Sequence, residues 1–510
     1  MDTPLLAVLR SMPPGAIAVA EGDMRLTTGA LLEGSAHLAA GMRQLGVKAG
    51  DTAVLAAKPD AGFIKIVYAA MMTGIRLAVI DPEMGRDNYR EKLRQLQPQW
   101  AFVDSRLLLL QERPLLRRLY FWFSKNGPYF PRTPGLRIIV TGPRLPVFQQ
   151  HTRLRTLENA PLPKEEAVIA LPDDHEFLIT YTSGTTATPK GVVHSIGALT
   201  ASILQIADML RSAGNRRIAT HLPYFALIGL NAGVEAHLWD YRSSPAWKLK
   251  FIEKHGITTL FSPPCDYLPL MEHCEREGRC LPECLQQLFF GSAPVYRSFL
   301  ERLLPLAPSH TKLTCMYGMT ENLIVATIDG RQKAQLPTDS GDVVGLPRPG
   351  VEIRIGEDGE IFVQSPQLYR RYLHLAGRDS FHATGDLGFL DTNGRLVLTG
   401  RKKDMLIRRN FNLYPGLYEP TVNRIQGVVE SAFVGVFDEK RQDEIVFLFV
   451  ETMQAITEAK LRLALESGPF SIDREALPDR IVFENLPRRG RQSKVDKGVL
   501  RERAKGMMNF

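Results

Sequence analysis

From Ala36 the segment AHLAAGMRQLGVKAGD places apolar residues at helical spacing and closes at a glycine, and TAVLAA after it reads as a short buried strand. A second apolar helix, GFIKIVYAAMMTG, ends at Gly74 and leads into the strand-like RLAVID. Trp100 to Val103, Leu136 to Val140 and Phe177 to Tyr181 continue the strands. Alternation of helix and strand predicts an α/β fold whose parallel sheet is covered by helices. The last of these strands runs into a Gly/Thr-rich loop, at the carboxyl end where open α/β sheets place ligands.

Two further stretches break this pattern. Between Leu107 and Arg132, Leu, Phe, Tyr and Trp interleave with Arg113, Arg117, Arg118, Lys125 and Arg132. Such a segment can lie in a membrane interface, but Pro114 and Pro128 interrupt the period, and an insertion helix packed on its own domain is the preferred expectation. Near Gly400 a short charged stretch, Gly400-Arg-Lys-Lys-Asp404, reads as a linker. Beyond it, GVVESAFVGVFDEKRQDEIVFLFVE reads as two strands joined by a polar turn, with helices on either side. The expected division is a domain of residues 1–399 and a small α+β domain of residues 400–510.

Length and composition agree with this picture. The 510 residues, 44% apolar and 23% charged, exclude a disordered chain and a small disulfide scaffold. The net charge of +8 is spread along the chain and suits anionic small molecules or a membrane surface as well as nucleic acid; no motif points to nucleic acid. Cys265, Cys274, Cys280, Cys284 and Cys315 form an odd set without the paired Cys-x-x-Cys spacing of structural zinc sites, so reduced thiols are expected. The start of the chain lacks the pattern of a secretory signal, and Ile66 to Ile75 is far shorter than the roughly 20 residues a spanning helix requires. A cytoplasmic location is expected, with peripheral membrane contact left open. Nothing in the sequence fixes the oligomeric state.

The most informative segment is Tyr181-Thr-Ser-Gly-Thr-Thr-Ala-Thr-Pro-Lys-Gly191. Small residues let backbone N–H groups approach an anion, hydroxyls add donors, and a lysine supplies a point charge. It is not a Walker A loop, because Pro189 precedes Lys190 and Gly191 follows it. The segment resembles the phosphate loop of the AMP-forming adenylating superfamily, which contains acyl-CoA synthetases, peptide-synthetase adenylation domains and luciferases. Further segments resemble that family in the same order: Phe290-Gly-Ser-Ala-Pro294, Met316-Tyr-Gly-Met-Thr-Glu321, Gly359-Glu-Ile-Phe-Val363, Thr384-Gly-Asp386 and Gly400-Arg-Lys-Lys-Asp404.

The resemblance implies a large N-terminal domain of helix-covered, mostly parallel sheets with a small β subdomain, followed by a small mobile C-terminal domain. It implies ATP and Mg2+ as requirements and a carboxylic acid as substrate, joined as acyl-AMP with release of pyrophosphate. Both reactants are anions, so positive charge must offset their repulsion; one unit charge about 4 Å away is worth about 4 kcal/mol at an effective dielectric near 20. By the same resemblance Thr182, Ser183, Gly184, Thr185, Thr186 and Lys190 cradle the β/γ-phosphates. Gly291, Ser292, Ala293 and Pro294 border adenine, and Tyr317, followed by Gly318, stacks on it. Glu321 holds the metal, Thr320 contacts the α-phosphate, Asp386 accepts both ribose hydroxyls and Arg401 donates to ribose or phosphate. Lys494 resembles the tail lysine that reaches the reacting carboxylate and α-phosphate, and Lys403 is the hinge.

Members of the family commonly pass the acyl group to a thiol such as coenzyme A. The chain departs from the family pattern at Ala187, at Ser493 and at Arg409-Asn410-Phe411, where glycines are usual. Asp81-Pro-Glu-Met-Gly85, Pro223-Tyr-Phe-Ala-Leu-Ile-Gly229 and Arg491-Gln-Ser-Lys494 resemble the olefin-pathway β-lactone synthetases, which close a 3-hydroxy fatty acid on its own hydroxyl. Ala226, Leu227, Ile228 and Gly229 suit an apolar acyl pocket. Three outcomes are carried forward: an acyl-CoA or acyl-AMP ligase for a hydrophobic acid, a β-lactone synthetase, and a non-catalytic nucleotide-binding descendant.

Overall fold

The computed structural model describes residues 3–80, 86–113, 115–116, 118, 120, 130–131, 133–145, 151–162, 170–181, 190–212, 214, 216–337, 341–408, 411–438, 443–454, 456–467, 469–489 and 494–508. The helix expected before Gly74 spans Ala61–Thr73. The Asp60 carboxylate caps it by accepting from the Phe63 N–H, and Gly74 ends it in the left-handed region at φ 71°. Strands Thr52–Ala56 and Arg76–Val79 flank it and lie side by side in parallel, as the alternation predicts.

Two large sheets form the N-terminal part. Across the first, the strand order among described residues is Arg371–Tyr372, Gly191–Ser195, Glu176–Tyr181, Arg76–Val79, Thr52–Ala56, Trp100–Asp104, Arg137–Thr141 and Thr152–Arg153. All neighbours from Glu176–Tyr181 onward run parallel. The second sheet has a parallel centre, from Ile17–Glu21 through Glu235–Leu238, Arg217–Thr220, Thr259–Ser262 and Gln287–Phe290 to Lys312–Met319. Beyond Lys312–Met319 it turns antiparallel, through Asn322–Asp329, Asp342–Pro347, Leu396–Arg401, His382–Leu390, Glu360–Gln364 and Glu352–Ile355. This is an α/β architecture with an antiparallel β extension.

The chain leaves the second sheet later than expected. Gly400 and Arg401 still pair within strand Leu396–Arg401, opposite Leu387 and Asp386, and the direction changes only at the turn Lys402–Asp404. Long-range pairing outweighs the local charge that reads as a linker. Helix Pro415–Val422 then packs its first turn on that strand. A Cβ at Gly416 would stand 2.8 Å from the Thr399 carbonyl and 3.1 Å from the Gly400 Cα, so close approach requires glycine. Strands Val428–Asp438 and Asp443–Thr452 pair antiparallel as the pattern predicts, and Arg480–Phe483 adds a parallel third.

In the Leu107 to Arg132 segment, helix Ser105–Glu112 buries Leu107 and Leu108, while Leu115 and Leu116 are exposed. Most of the rest lies outside the described residues, as do Asp81 to Gly85, Thr182 to Pro189 (with Ala187), Arg409, Asn410, and Arg491 to Ser493. Among the described residues no helix is long and apolar enough to cross a membrane. The five cysteines carry free thiols.

Candidate active site

At Thr384-Gly385-Asp386, Gly385 adopts φ 71°, which lets the chain turn so that Thr384 Oγ1 donates to the Ile361 carbonyl and accepts from the Asp386 N–H. The Gly385 N–H donates to Glu360 Oε1 at 3.1 Å. Asp386 is buried, and each of its oxygens has a partner: the Tyr317 hydroxyl donates to Oδ2 at 2.6 Å, and Arg401 Nε pairs with Oδ1 at 2.7 Å. A buried carboxylate is tolerable because a cation and a donor replace its water. Burial and the neighbouring Asp386 charge hold the Tyr317 hydroxyl well above the usual phenol range, so it stays a donor.

Lys494 comes to this carboxylate from the C-terminal part, on a ribbon in which Arg489 pairs with Lys494. It keeps exposed surface, yet the protein around it displaces enough water to lower its pKa. Arg401 and Lys403 lower it further, and Asp386 opposes them. Lys403 is lowered in the same way, chiefly by loss of water, with Asp404 and Asp386 opposing. Arg401 thus pairs with Asp386 while Lys403 and Lys494 lie in the field of that carboxylate, and a surplus of positive charge favours an anionic guest. Beside them Lys402 bridges Asp358 at 2.7 Å and Glu360 at 2.6 Å, tying the turn to the strand that supports Gly385.

Thr320 and Glu321 occupy the hairpin between strands Lys312–Met319 and Asn322–Asp329, where the register shifts between Tyr317 and Met319. Gly318 sits in that irregularity. A Cβ there would lie 2.1 Å from the Leu323 carbonyl oxygen, so no side chain fits without moving backbone. Gly318→Ala is expected to destabilise the protein by about 3 kcal/mol, seen as a lower denaturation midpoint. A midpoint equal to the parent's would show that the bulge yields freely.

The Tyr372 hydroxyl donates to Glu321 Oε1 at 2.9 Å, and Lys190 Nζ stands 5.4 Å from the centre of the same ring. Tyr372 thus links Lys190 of the phosphate-like loop to the Thr320–Glu321 turn. Below it His194 is 3% exposed, with Nε2 3.5 Å from Thr180 Oγ1 and a hydrogen bond to the Thr320 backbone. Burial pushes its pKa down to about 4. The folded state therefore binds fewer protons at this site than the unfolded chain between pH about 6.5 and 4, so its contribution is full above 6.5 and is lost as pH falls through that window. Replacing His194 with glutamine should flatten the acid-side loss of stability by up to about 3 kcal/mol, measured as the difference between parent and variant across that range. Parallel stability curves would refute it.

Strand Gln287–Phe290 ends in Gly291-Ser292-Ala293-Pro294. Ser292 has φ 65°, a left-handed conformation that costs a non-glycine residue on the order of 1–2 kcal/mol. Strain of this kind concentrates at functional sites. The structure brings Tyr317, Asp386, Arg401, Lys403 and Lys494 into one cluster, and Lys190, Thr320 and Glu321 into a second. Thr182 to Thr186 lie outside the described residues. Tyr372 and His194 went unread in the sequence, because their partners are 51 and 126 residues away and no local spacing marks them; Glu360 was read only as part of the 359–363 segment, without its bond to Gly385.

A cationic cluster on the antiparallel extension of the second sheet, joined by Lys494 of a small C-terminal α+β unit, suits an anionic ligand such as a phosphorylated nucleotide. The chain belongs to the family described as AMP-binding enzyme, whose model matches residues 10–373. It is an enzyme of the AMP-forming acyl-CoA ligase kind. It is 25% identical over 472 residues to a 2-succinylbenzoate–CoA ligase of Bacillus licheniformis, covering 88% of this chain and 90% of the relative. Over 444 residues it is 27% identical to an olefin beta-lactone synthetase of Stenotrophomonas maltophilia, covering 78% and 76%. The same fold is found in the O-succinylbenzoate coenzyme A synthetase of Bacillus subtilis solved with ATP and magnesium ion, with TM-score 0.77, 20% identity and 99% of each chain covered.

Proposed function

We propose that the protein joins a hydrophobic carboxylic acid to the AMP part of ATP, releasing pyrophosphate, and then transfers the acyl group to a thiol such as coenzyme A. The observation that carries this reading is the meeting of Lys494 with Asp386, Arg401 and Lys403. It brings an ammonium of the C-terminal ribbon into the field of a carboxylate suited to accept two ribose hydroxyls. Tyr317 orients that carboxylate and offers its ring to adenine, with residues 291–294 at the edge. In this reading Lys190, with Thr182 to Thr186, is assigned to the β/γ-phosphates and Thr320 to the α-phosphate.

Glu321 is the residue to hold Mg2+. As a hard oxygen donor beside Lys190 it fits that ion, which supplies further charge to offset repulsion between the two anions. Lys494 donates to the attacking carboxylate and the α-phosphoryl oxygens, and Lys403 is the hinge between residues 1–399 and 400–510. A fatty or similarly hydrophobic acid is proposed from the apolar run Ala226 to Gly229, which the fold packs into its core on helix Pro223–Asn231.

Pyrophosphate release on adding ATP, Mg2+ and a panel of fatty acids tests the activation step, and mass spectrometry with and without coenzyme A identifies the product. A thioester supports the full proposal. Similarity to the beta-lactone synthetase favours a second reading, intramolecular closure of a 3-hydroxy acid, which yields a product lighter by one water without coenzyme A. Absence of pyrophosphate with every acid would refute acyl activation and leave a nucleotide-binding protein.

A further inference from the structure

Residues 369–373 touch both large sheets. Strand Arg371–Tyr372 pairs antiparallel with Gly191–Ser195 of the first sheet, Tyr372 opposite Val192, and the Leu373 N–H donates to the Gly191 carbonyl at 2.7 Å. The Arg371 guanidinium bonds to both carboxylate oxygens of Glu176. Glu176 opens the strand that leads into the phosphate-like loop, and Gly191 opens the strand that follows it. The segment is thereby fastened to both strands that flank that loop.

On its other side the segment holds Glu321 twice. The Tyr369 N–H donates to the Glu321 carbonyl at 2.8 Å, and the Tyr372 hydroxyl donates to Glu321 Oε1 at 2.9 Å. Behind Tyr372 stands Tyr369, with ring centres 4.8 Å apart and a hydrogen bond between the two hydroxyls. His382 Nδ1 lies 3.4 Å from the Tyr369 hydroxyl oxygen, and His382 begins the strand that carries Asp386. Each phenol has a single hydrogen, so the carboxylate at the end fixes the sense of the chain: Tyr372 donates to Glu321, Tyr369 to Tyr372, and the His382 Nδ1–H to Tyr369. Tyr369 is 2% exposed, and Tyr372 and His382 are half-buried, so water competes little for these bonds.

We propose that Tyr372 is a positioning residue for the metal site: its hydroxyl fixes the Glu321 carboxylate so that Oε2 can serve the metal ion, and Tyr369 and His382 hold the phenol in turn. The proposal rests on the acyl-activating function, with Glu321 as the residue that holds Mg2+. A carboxylate left to rotate loses side-chain freedom each time it binds a metal, whereas one already bonded through its other oxygen has lost that freedom on folding. Partners of this kind behind a metal ligand carry roughly 10- to 100-fold of metal affinity. Lys190 Nζ stands 5.4 Å from the centre of the Tyr372 ring. Phenylalanine at this position keeps the ring, and with it the Lys190 contact, and removes only the hydroxyl.

The affinity for α,β-methylene-ATP, whose α–β bridge does not cleave, is measured by calorimetry with Mg2+ and with EDTA. The proteins are the parent, Tyr372→Phe, Glu321→Gln and the double variant. Mg2+ should tighten binding to the parent at least tenfold, and in Tyr372→Phe that gain should fall to threefold or less. Affinity in EDTA should change less than threefold, which also shows that the variant folds. The double variant should match Glu321→Gln within twofold, because the hydroxyl acts only through that carboxylate. A gain in Tyr372→Phe equal to the parent's, a further loss in the double variant, or binding lost in EDTA as well overturns the positioning role and leaves acyl activation standing. A parent that gains nothing from Mg2+ removes the metal role of Glu321 and the positioning role with it. A parent that fails to bind the analogue at all removes acyl activation too.

Discussion

Replacing Lys494 with alanine is expected to slow acyl-adenylate formation by about 10^2-fold or more, the effect of removing one pre-organised donor from a transition state that gathers negative charge. The ammonium is carried by a ribbon of the C-terminal part and lies in the field of Asp386, Arg401 and Lys403. ATP–pyrophosphate exchange measures the step directly, and affinity for ATP should change less than tenfold. The lowered pKa adds a second signature. Lys494 is needed protonated, so exchange should begin to fall at a lower pH than an ordinary lysine would allow, and Lys494→Arg, which keeps its charge, should move that alkaline limb upward. An exchange rate within threefold of the parent's for Lys494→Ala would remove the lysine from the reaction.

Asp386→Asn is the second large effect. The substitution keeps the shape and removes the charge that accepts from Tyr317 and pairs with Arg401, and two bonds to ribose hydroxyls would lose their charged acceptor. Hydrogen bonds to charged groups contribute about 1.5–3 kcal/mol each, so the KM for ATP should rise by about 30-fold or more. Because Asp386 raises the Lys494 pKa against burial, Arg401 and Lys403, the alkaline limb of activity should also shift to lower pH. An unchanged KM for ATP would show that Asp386 serves only to fix Tyr317 and Arg401.

Much of the candidate site was legible as order along the chain. The segments at 290–294, 316–321 and 384–386 are recognisable because each carries small or hydroxyl residues where backbone turns sharply or is closely approached. The structure gives that reason at Gly318 and Gly385. The supports of these segments were not legible. Tyr372 sits in a run of arginines and tyrosines with no helical or strand period of its own, and it reaches Glu321 only because strand Arg371–Tyr372 pairs with Gly191–Ser195. The charged stretch at Gly400 read as a linker because composition carries no information about pairing with His382–Leu390.

The hydrophobic period and the placement of glycines were enough to determine a helix-covered parallel α/β fold and a smaller closing α+β unit, since burial of one face acts within a few residues. Which charges meet was decided by tertiary structure. Asp386 and Lys494 are 108 positions apart, yet one lowers the other's isolation from opposite charge once the ribbon folds over the second sheet. Electrostatic energy depends on distance in space and on the water removed around each group, and neither quantity exists until distant strands are paired.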